Sequence, residues 1–200
     1  NIPTPQFARL PDPGQLFSVR EARFAALAEG HDLAPYLKFL SGLCGVQAAI
    51  QGGLPEPDAI ASEALERARQ HGMPPLDRGH FTADAAFTAT LDRLLAVAAD
   101  IDMPGQARTA LEKVTKADAD GRARMVENVL AEAIPVEALA EHIFIAAALQ
   151  VHFVRLAARL DARSLHPVGD GVCPSGGGAP TSTVRVNWPR TPGARCCSCS

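Results

Sequence analysis

The stretch LAEHIFIAAALQVHFVRLAARL, residues 139–160, decides the fold class of this chain. Its apolar residues cover nearly the whole circumference of a helix, which is typical of a helix buried at the centre of a bundle. Pro135 precedes it and suits the first turn of a helix, because proline has no backbone N–H to satisfy there. We therefore predict a long seventh helix from Pro135 to about Ala162, surrounded by other helices.

The composition agrees with a mainly α protein. The chain has 200 residues, of which 47% are hydrophobic, 20% charged and 5% aromatic, and Ala and Leu dominate. The net charge of −3 predicts no general attraction to nucleic acid. The longest apolar run, residues 143–153, is shorter than the about 20 residues that cross a bilayer. The Pro-rich N-terminal residues lack a basic-then-apolar leader pattern, and no membrane insertion is expected.

Six shorter helices are predicted before the long one. Asp12 and Pro13 form a capping and first-turn pair for the first of them, which should stop at Gly30. Its predicted core-facing residues recur at helical spacing: Leu16, Val19, Phe24 and Leu27. The second and fourth helices are expected to be capped by Asp32 and Thr82. The predicted spans of helices two to six are 33–51, 55–72, 83–100, 104–117 and 119–133.

The composition of the sequence changes after Leu165, where the helical periodicity ends. Residues 166–180 are rich in Gly and Pro, residues 181–186 form a short β-type run, and residues 187–195 read as a turn-rich loop. We therefore predict an α-helical domain over residues 1–164. A short, incomplete rubredoxin-like or zinc-ribbon-like segment is predicted over residues 165–200.

Four of the five cysteines lie in this C-terminal segment. Cys173 opens a C-P-x-x-G turn in which Gly176 occupies the position of a second thiol, and Cys196 and Cys199 have C-x-x-C spacing. Structural zinc or iron sites use four soft ligands, and tight turns of this kind supply them in pairs. We predict Cys173, Cys196 and Cys199 as ligands of iron or zinc, with His166 the nearest fourth ligand. The alternative is a set of free, oxidisable thiols.

Other candidate sites are weaker. No nucleophile motif appears, so no enzymatic activity is expected, and His142 and His152 are interpreted as structural. Residues 10–40 combine rigid proline turns, arginines and aromatics in a candidate binding surface, although periodicity alone favours a core role for them. Two other classes stay open. One is a metal-ribbon nucleic-acid binder, and the other is a thiol redox protein using Cys196 and Cys199.

Three segments together resemble the formate dehydrogenase accessory proteins of the FdhE type. They are residues 10–40, residues 74–95 (PPLDRGHFTADAAFTATLDRLL) and residues 145–186, and the likeness runs over nearly the whole chain. The resemblance implies a helical domain followed by rubredoxin-like knuckles that bind iron or zinc through C-x-x-C pairs. It also implies a cytoplasmic, non-catalytic factor that binds the catalytic subunit of a respiratory formate dehydrogenase and supports its maturation. A second copy of this chain is a further expected partner.

The chain departs from the family pattern in its cysteines. Gly176 replaces one thiol of the first pair. Aligning Gly193 with the family pattern places Cys196 and Cys197 where Tyr and Leu are usual, and Cys199 then matches the first ligand of the next pair. The later pairs are missing from this sequence, so we expect a truncated or frameshifted copy with a degenerate metal-binding region.

Overall fold

The computed structural model describes residues 7–188 and 191–198, with the side chains of 186–188, 191–192 and 194–196 left outside the description. In that part of the chain, seven α-helices precede a two-stranded antiparallel hairpin. The helices are α1 (Pro13–Ala28), α2 (Ala34–Ile50), α3 (Ser62–His71), α4 (Ala85–Ala98), α5 (Gly105–Lys116), α6 (Ala119–Leu130) and α7 (Leu139–Ala157). The strands are β1 (Ser182–Trp188) and β2 (Thr191–Ser198). The predicted mainly α class is confirmed.

The chain divides into two compact units. One comprises Pro11–Asp58 and Thr82–Ala158, and it contains α1, α2 and α4 to α7. The other comprises Asn1–Leu10, Ala59–Phe81 and Arg159–Ser200, and it contains α3 and the hairpin. The domain boundary that the sequence predicts near Ser164 stays a prediction.

Helix α7 is the centre of the larger unit, as its all-round apolar sequence predicts. It contacts α1, α2, α4, α5 and α6, and the side chains of Phe144, Ile145 and Val151 are completely buried. The Phe144 ring meets the edge of the Phe39 ring of α2 at a centroid distance of 6.1 Å.

The stretch Val136–Ala157 is long and apolar enough to suit a membrane span, but half of its most apolar window is buried inside the protein. A core helix meets the same test of length and composition.

Polar side chains on α7 are paired with neighbouring elements. The Nδ1 atom of His142 lies 2.7 Å from the Ala138 carbonyl oxygen, and its Nε2 lies 3.2 Å from Asn128 Nδ2. With Nδ1 donating to the carbonyl, Nε2 is left to accept from the amide. Arg155 donates to the carbonyl oxygen of Pro55 over 2.7 Å. Because buried polar groups are costly without partners, these bonds fix the rotation of α7 about its axis.

His152 is the most deeply enclosed titratable group of α7. Its side chain is 2% exposed, meets the edge of the Phe87 ring, and has Nε2 3.9 Å from the Asp84 carboxylate. Burial lowers the pKa of His152, and the nearby Arg155 charge lowers it further. The carboxylates of Asp84 and Asp58 oppose this shift without reversing it.

We expect this histidine to make the protein less stable in mild acid. The pKa of His152 is lower in the folded chain, so protons bind the unfolded chain preferentially once the pH falls below about 6.5. The contribution is therefore fully present above that pH and is lost as the pH falls towards the folded pKa. Urea unfolding midpoints at several pH values should fall less steeply for His152→Leu than for the unchanged chain. His71→Leu, at an exposed histidine, is the matched control. Equal slopes in all three proteins would contradict this role for His152.

The starts of several helices differ from the prediction. Helix α7 begins at Leu139, after a 3-10 turn at Val136–Ala138, and not at Pro135. Asp12 caps α1 as predicted, with its carboxylate accepting from Gly14 N over 2.9 Å. Thr82 does not cap α4, because Asp84 immediately precedes the first helical residue and accepts from the Phe87 N–H. Asp32 does not cap α2, which starts at Ala34 without a side-chain cap.

Helix α3 is shorter than predicted, and the hairpin is longer. Helix α3 begins at Ser62 and not at residue 55, and Pro57 disfavours a helical conformation at Glu56 before it. It ends at Gly72, in the left-handed conformation, as predicted. The predicted strand at residues 181–186 is confirmed, but residues 187–195 supply much of β2 instead of a loop. Hydrogen bonds with β1 satisfy the backbone groups of this segment. The turn-rich sequence of the segment gives no indication of this pairing.

Candidate functional site: a cysteine turn and the outer face of helix α1

The predicted first metal knuckle is a closed turn over residues 173–178. The Cys173 N–H donates to the Gly178 carbonyl over 2.9 Å, and the Gly177 N–H donates to the Cys173 carbonyl over 3.0 Å. Gly177 has a φ of 76°, a conformation that favours glycine. The Cys173 thiol is buried, and its Sγ lies 3.2 Å from Ser175 Oγ. The turn therefore presents one thiol and one hydroxyl.

A second loop of the same unit, residues 74–80, holds this turn. The Leu76 N–H donates to the Ser175 carbonyl over 2.8 Å, and the Arg78 N–H donates to the Gly176 carbonyl over 3.4 Å. Asp77 fixes the loop itself, because its carboxylate accepts from the Gly79 N–H and lies 2.7 Å from His80 Nδ1. That contact with His80 lowers the pKa of Asp77. Backbone hydrogen bonds from the loop therefore hold the turn in place.

Of the other predicted metal ligands, His166 is the one whose side chain belongs to the described residues. His166 is exposed in a loop. Cys196 lies in β2 opposite Val184, with its side chain outside the description, and Cys199 lies outside the described residues. Within the described part of the chain, no three His, Cys, Asp or Glu side chains are grouped to hold a metal. The described residues alone therefore do not fit a four-ligand zinc or iron site, and the predicted ligand set stays a prediction.

The backbone position of Cys196 bears on the redox alternative, which uses Cys196 and Cys199. Catalytic thiols commonly sit at helix N-termini, where the helix lowers the thiol pKa. Cys196 instead lies within a strand, so the backbone offers no such terminus. Cys44 on α2 is buried, and burial raises the pKa of its thiol, as expected for a structural and unreactive cysteine.

Helix α1 buries only part of the predicted stripe, because Leu16 and Phe24 are half-buried but Val19 and Leu27 are exposed. Phe17 and Ala28 are buried, whereas Val19 is 64% exposed and Leu27 is 39% exposed. The cause lies on α2. Ser41 donates its hydroxyl to the Glu21 carbonyl, and a Cβ placed on Gly45 would lie 2.7 Å from Glu21 Oε1. This close approach turns the Phe17 side of α1 inwards and leaves Val19 and Leu27 outside.

The exposed side of α1 carries a short row of side chains, here named the α1 outer row: Val19, Arg23 and Leu27. They stand four residues apart, so they lie almost one above another along the helix. Arg23 is exposed and forms no ion pair with any residue that the structure describes. A second arginine, Arg20, lies beside the row with its guanidinium 5.9 Å from the centre of the Phe17 ring.

Sequence periodicity could not choose between the two apolar sides of α1. Both sides carry apolar residues at helical spacing, and only contacts with α2 decide which side is buried. The useful indication was Gly45, since a glycine inside an apolar helix often marks close approach of another element.

These features define a class of protein: a helical bundle that carries, in a second unit, a backbone-shaped cysteine turn resembling half of a metal knuckle. The sequence model of the family "FdhE, N-terminal" matches residues 5–170. The chain belongs to the FdhE family. The match covers α1 to α7 and ends before Cys173.

Relatives and a solved structure agree with this membership. A protein from Rhizobium meliloti named "Protein FdhE homolog" is 39% identical over 199 residues. A homologue of the same name from Pseudomonas aeruginosa is 30% identical over 188 residues. The crystal structure of the FdhE protein from Pseudomonas aeruginosa matches with a TM-score of 0.80 and 29% identity, covering 96% of this chain and 65% of that one. The chain spans 65% of the Rhizobium relative and 60% of the Pseudomonas homologue.

Proposed function

We propose that this chain is an accessory factor that binds the catalytic subunit of a formate dehydrogenase in the cytoplasm and does not itself oxidise formate. Membership of the FdhE family supports the proposal, and the family match over residues 5–170 is the observation that carries it. That match covers all seven helices and the whole of the larger unit, so recognition is assigned to the larger, helical unit. The tail cysteines are not required for binding in this proposal.

The α1 outer row is the best candidate for the binding surface. Interfaces draw most of their affinity from a few apolar and arginine anchors that are exposed in the free protein. Val19 and Leu27 are the exposed large hydrophobic residues of α1, and Arg23 lies between them. The row also lies in the segment, residues 10–40, that the sequence indicates as a candidate binding surface.

A pull-down under reducing, oxygen-free conditions tests the proposed function. The tagged chain should retain the formate dehydrogenase catalytic subunit from the same organism, whereas an unrelated helical protein with the same tag should not. Purified subunit at known concentration should then give a dissociation constant. Failure of the well-folded chain to retain the subunit would overturn the proposal.

The substitution Val19→Glu should weaken this binding about tenfold or more, because it places a charge among the apolar anchors of the row. Glutamate favours helix, and at this position it stands four residues before Arg23, so the fold should be retained. Val136→Glu is the matched control, since Val136 is 80% exposed and lies outside α1. Titration of purified subunit with both variants measures the difference. Equal weakening by both substitutions would exclude the row as the surface.

Iron or zinc binding through Cys173, Cys196 and Cys199 stays a prediction of the sequence, as does self-association. Neither is needed for the proposed recognition by helices. No described feature favours the nucleic-acid alternative over this proposal.

A further inference from the structure

On helix α1 itself, the charged residues in and beside the α1 outer row have one sign. Arg23 lies within the row, and Arg20 lies next to it. The acidic residues of this helix lie elsewhere around its axis. At about 100° per residue, Glu29 projects roughly 120° away from Arg23, and Glu21 projects roughly 160° away, on the side that packs against Gly45 of α2. The exposed side of α1 that carries the α1 outer row is therefore apolar and positively charged.

Arg23 is available to a partner. An exposed arginine without an ion pair among the described residues loses no internal bond when it binds a carboxylate. Its planar guanidinium can hold a carboxylate by two parallel hydrogen bonds. Val19 and Leu27 lie one turn to either side of Arg23. Once a partner surface covers these two side chains, they shield the ion pair from water, and the ion pair becomes stronger.

We propose that the α1 outer row receives an acidic amphipathic helix of the partner, in which a carboxylate lies between two apolar residues at four-residue spacing. This inference rests on the proposed function, and it specifies the segment of the catalytic subunit that docks. The fit follows from helix geometry. Four residues rise by about 6 Å on both helices, so an apolar, charged and apolar row on the partner can lie alongside the α1 outer row when the two rows interdigitate.

A peptide array tiling the formate dehydrogenase catalytic subunit identifies the segment, and the captured peptides are then titrated in solution against the full chain. The expected captured peptides are acidic and amphipathic. Arg23→Glu should weaken their binding about tenfold or more. Arg93→Glu, at an exposed arginine of α4, should leave it unchanged. A peptide with its central carboxylate replaced by Lys should bind Arg23→Glu better than it binds the unchanged chain.

The outcomes separate this inference from the proposed function. If the whole subunit is retained in the pull-down but Arg23→Glu and Arg93→Glu bind it equally, the acidic helix is excluded and the accessory role stands. If the subunit is not retained by the unchanged chain, the proposed function fails and this inference fails with it. Vesicles containing anionic lipid form a further comparison. Arg23-dependent binding of vesicles without binding of acidic peptides would overturn the inference in favour of a membrane surface.

Discussion

The substitution Phe144→Ala is expected to lower the free energy of unfolding of the helical unit by about 3–5 kcal/mol. Phe144 has no solvent exposure and lies in the middle of α7, which contacts five other helices of its unit. Its removal takes away buried apolar area and the edge-to-face contact with Phe39, and it leaves a cavity that packed helices fill only in part. Urea unfolding followed by far-ultraviolet circular dichroism measures the loss.

Leu139→Ala is the matched control for this prediction. Leu139 belongs to the same helix but is 50% exposed, so its truncation should cost less than about 1 kcal/mol. Alanine is also the better helix former, which offsets part of that loss. Equal destabilisation by the two substitutions would show that α7 is not the central helix of the unit.

The central position of α7 was predictable because it depends on a local property of the sequence. A helix that is apolar on all sides must be covered on all sides, and residues 139–160 have that composition. The Asp12 cap and the Gly72 stop were predictable for the same reason, since each satisfies backbone groups within a few residues of itself.

Features that depend on distant residues were not predictable in this way. The exposed side of α1 is set by its packing against α2, and the strand β2 exists only because β1 pairs with it. The link between loop 74–80 and turn 173–178 consists of backbone hydrogen bonds, which leave no pattern in side-chain identity. A single sequence therefore indicates the cysteine turn but not the loop that holds it.

The turn that carries Cys173 is expected to gain metal affinity when its missing thiol is supplied by Gly176→Cys. Gly176 is not in the left-handed conformation, and an added Cβ would lie 3.8 Å from Arg78 Cγ and 3.8 Å from the Leu76 carbonyl oxygen, which are ordinary contacts. Four-ligand structural zinc sites bind with about 10–16 kcal/mol, so each thiolate contributes roughly 3 kcal/mol and the variant should bind about 100-fold more tightly. Anaerobic titration with Co²⁺, followed by its thiolate charge-transfer absorption, measures the gain.

Two further variants identify the turn as the origin of that gain. Gly177→Cys supplies the same thiol one residue later, where φ is 76° and the added Cβ would lie 3.0 Å from Pro74 Cγ, so it should distort the turn and bind cobalt no better than the unchanged chain. Cys173→Ser added to Gly176→Cys should abolish the gain, because one thiolate of the pair is then lost. If Gly176→Cys folds normally and binds cobalt only as well as Gly177→Cys, the turn is not a metal knuckle. Its role would then be structural, because its backbone hydrogen bonds with loop 74–80 join two segments of one unit that are distant in sequence.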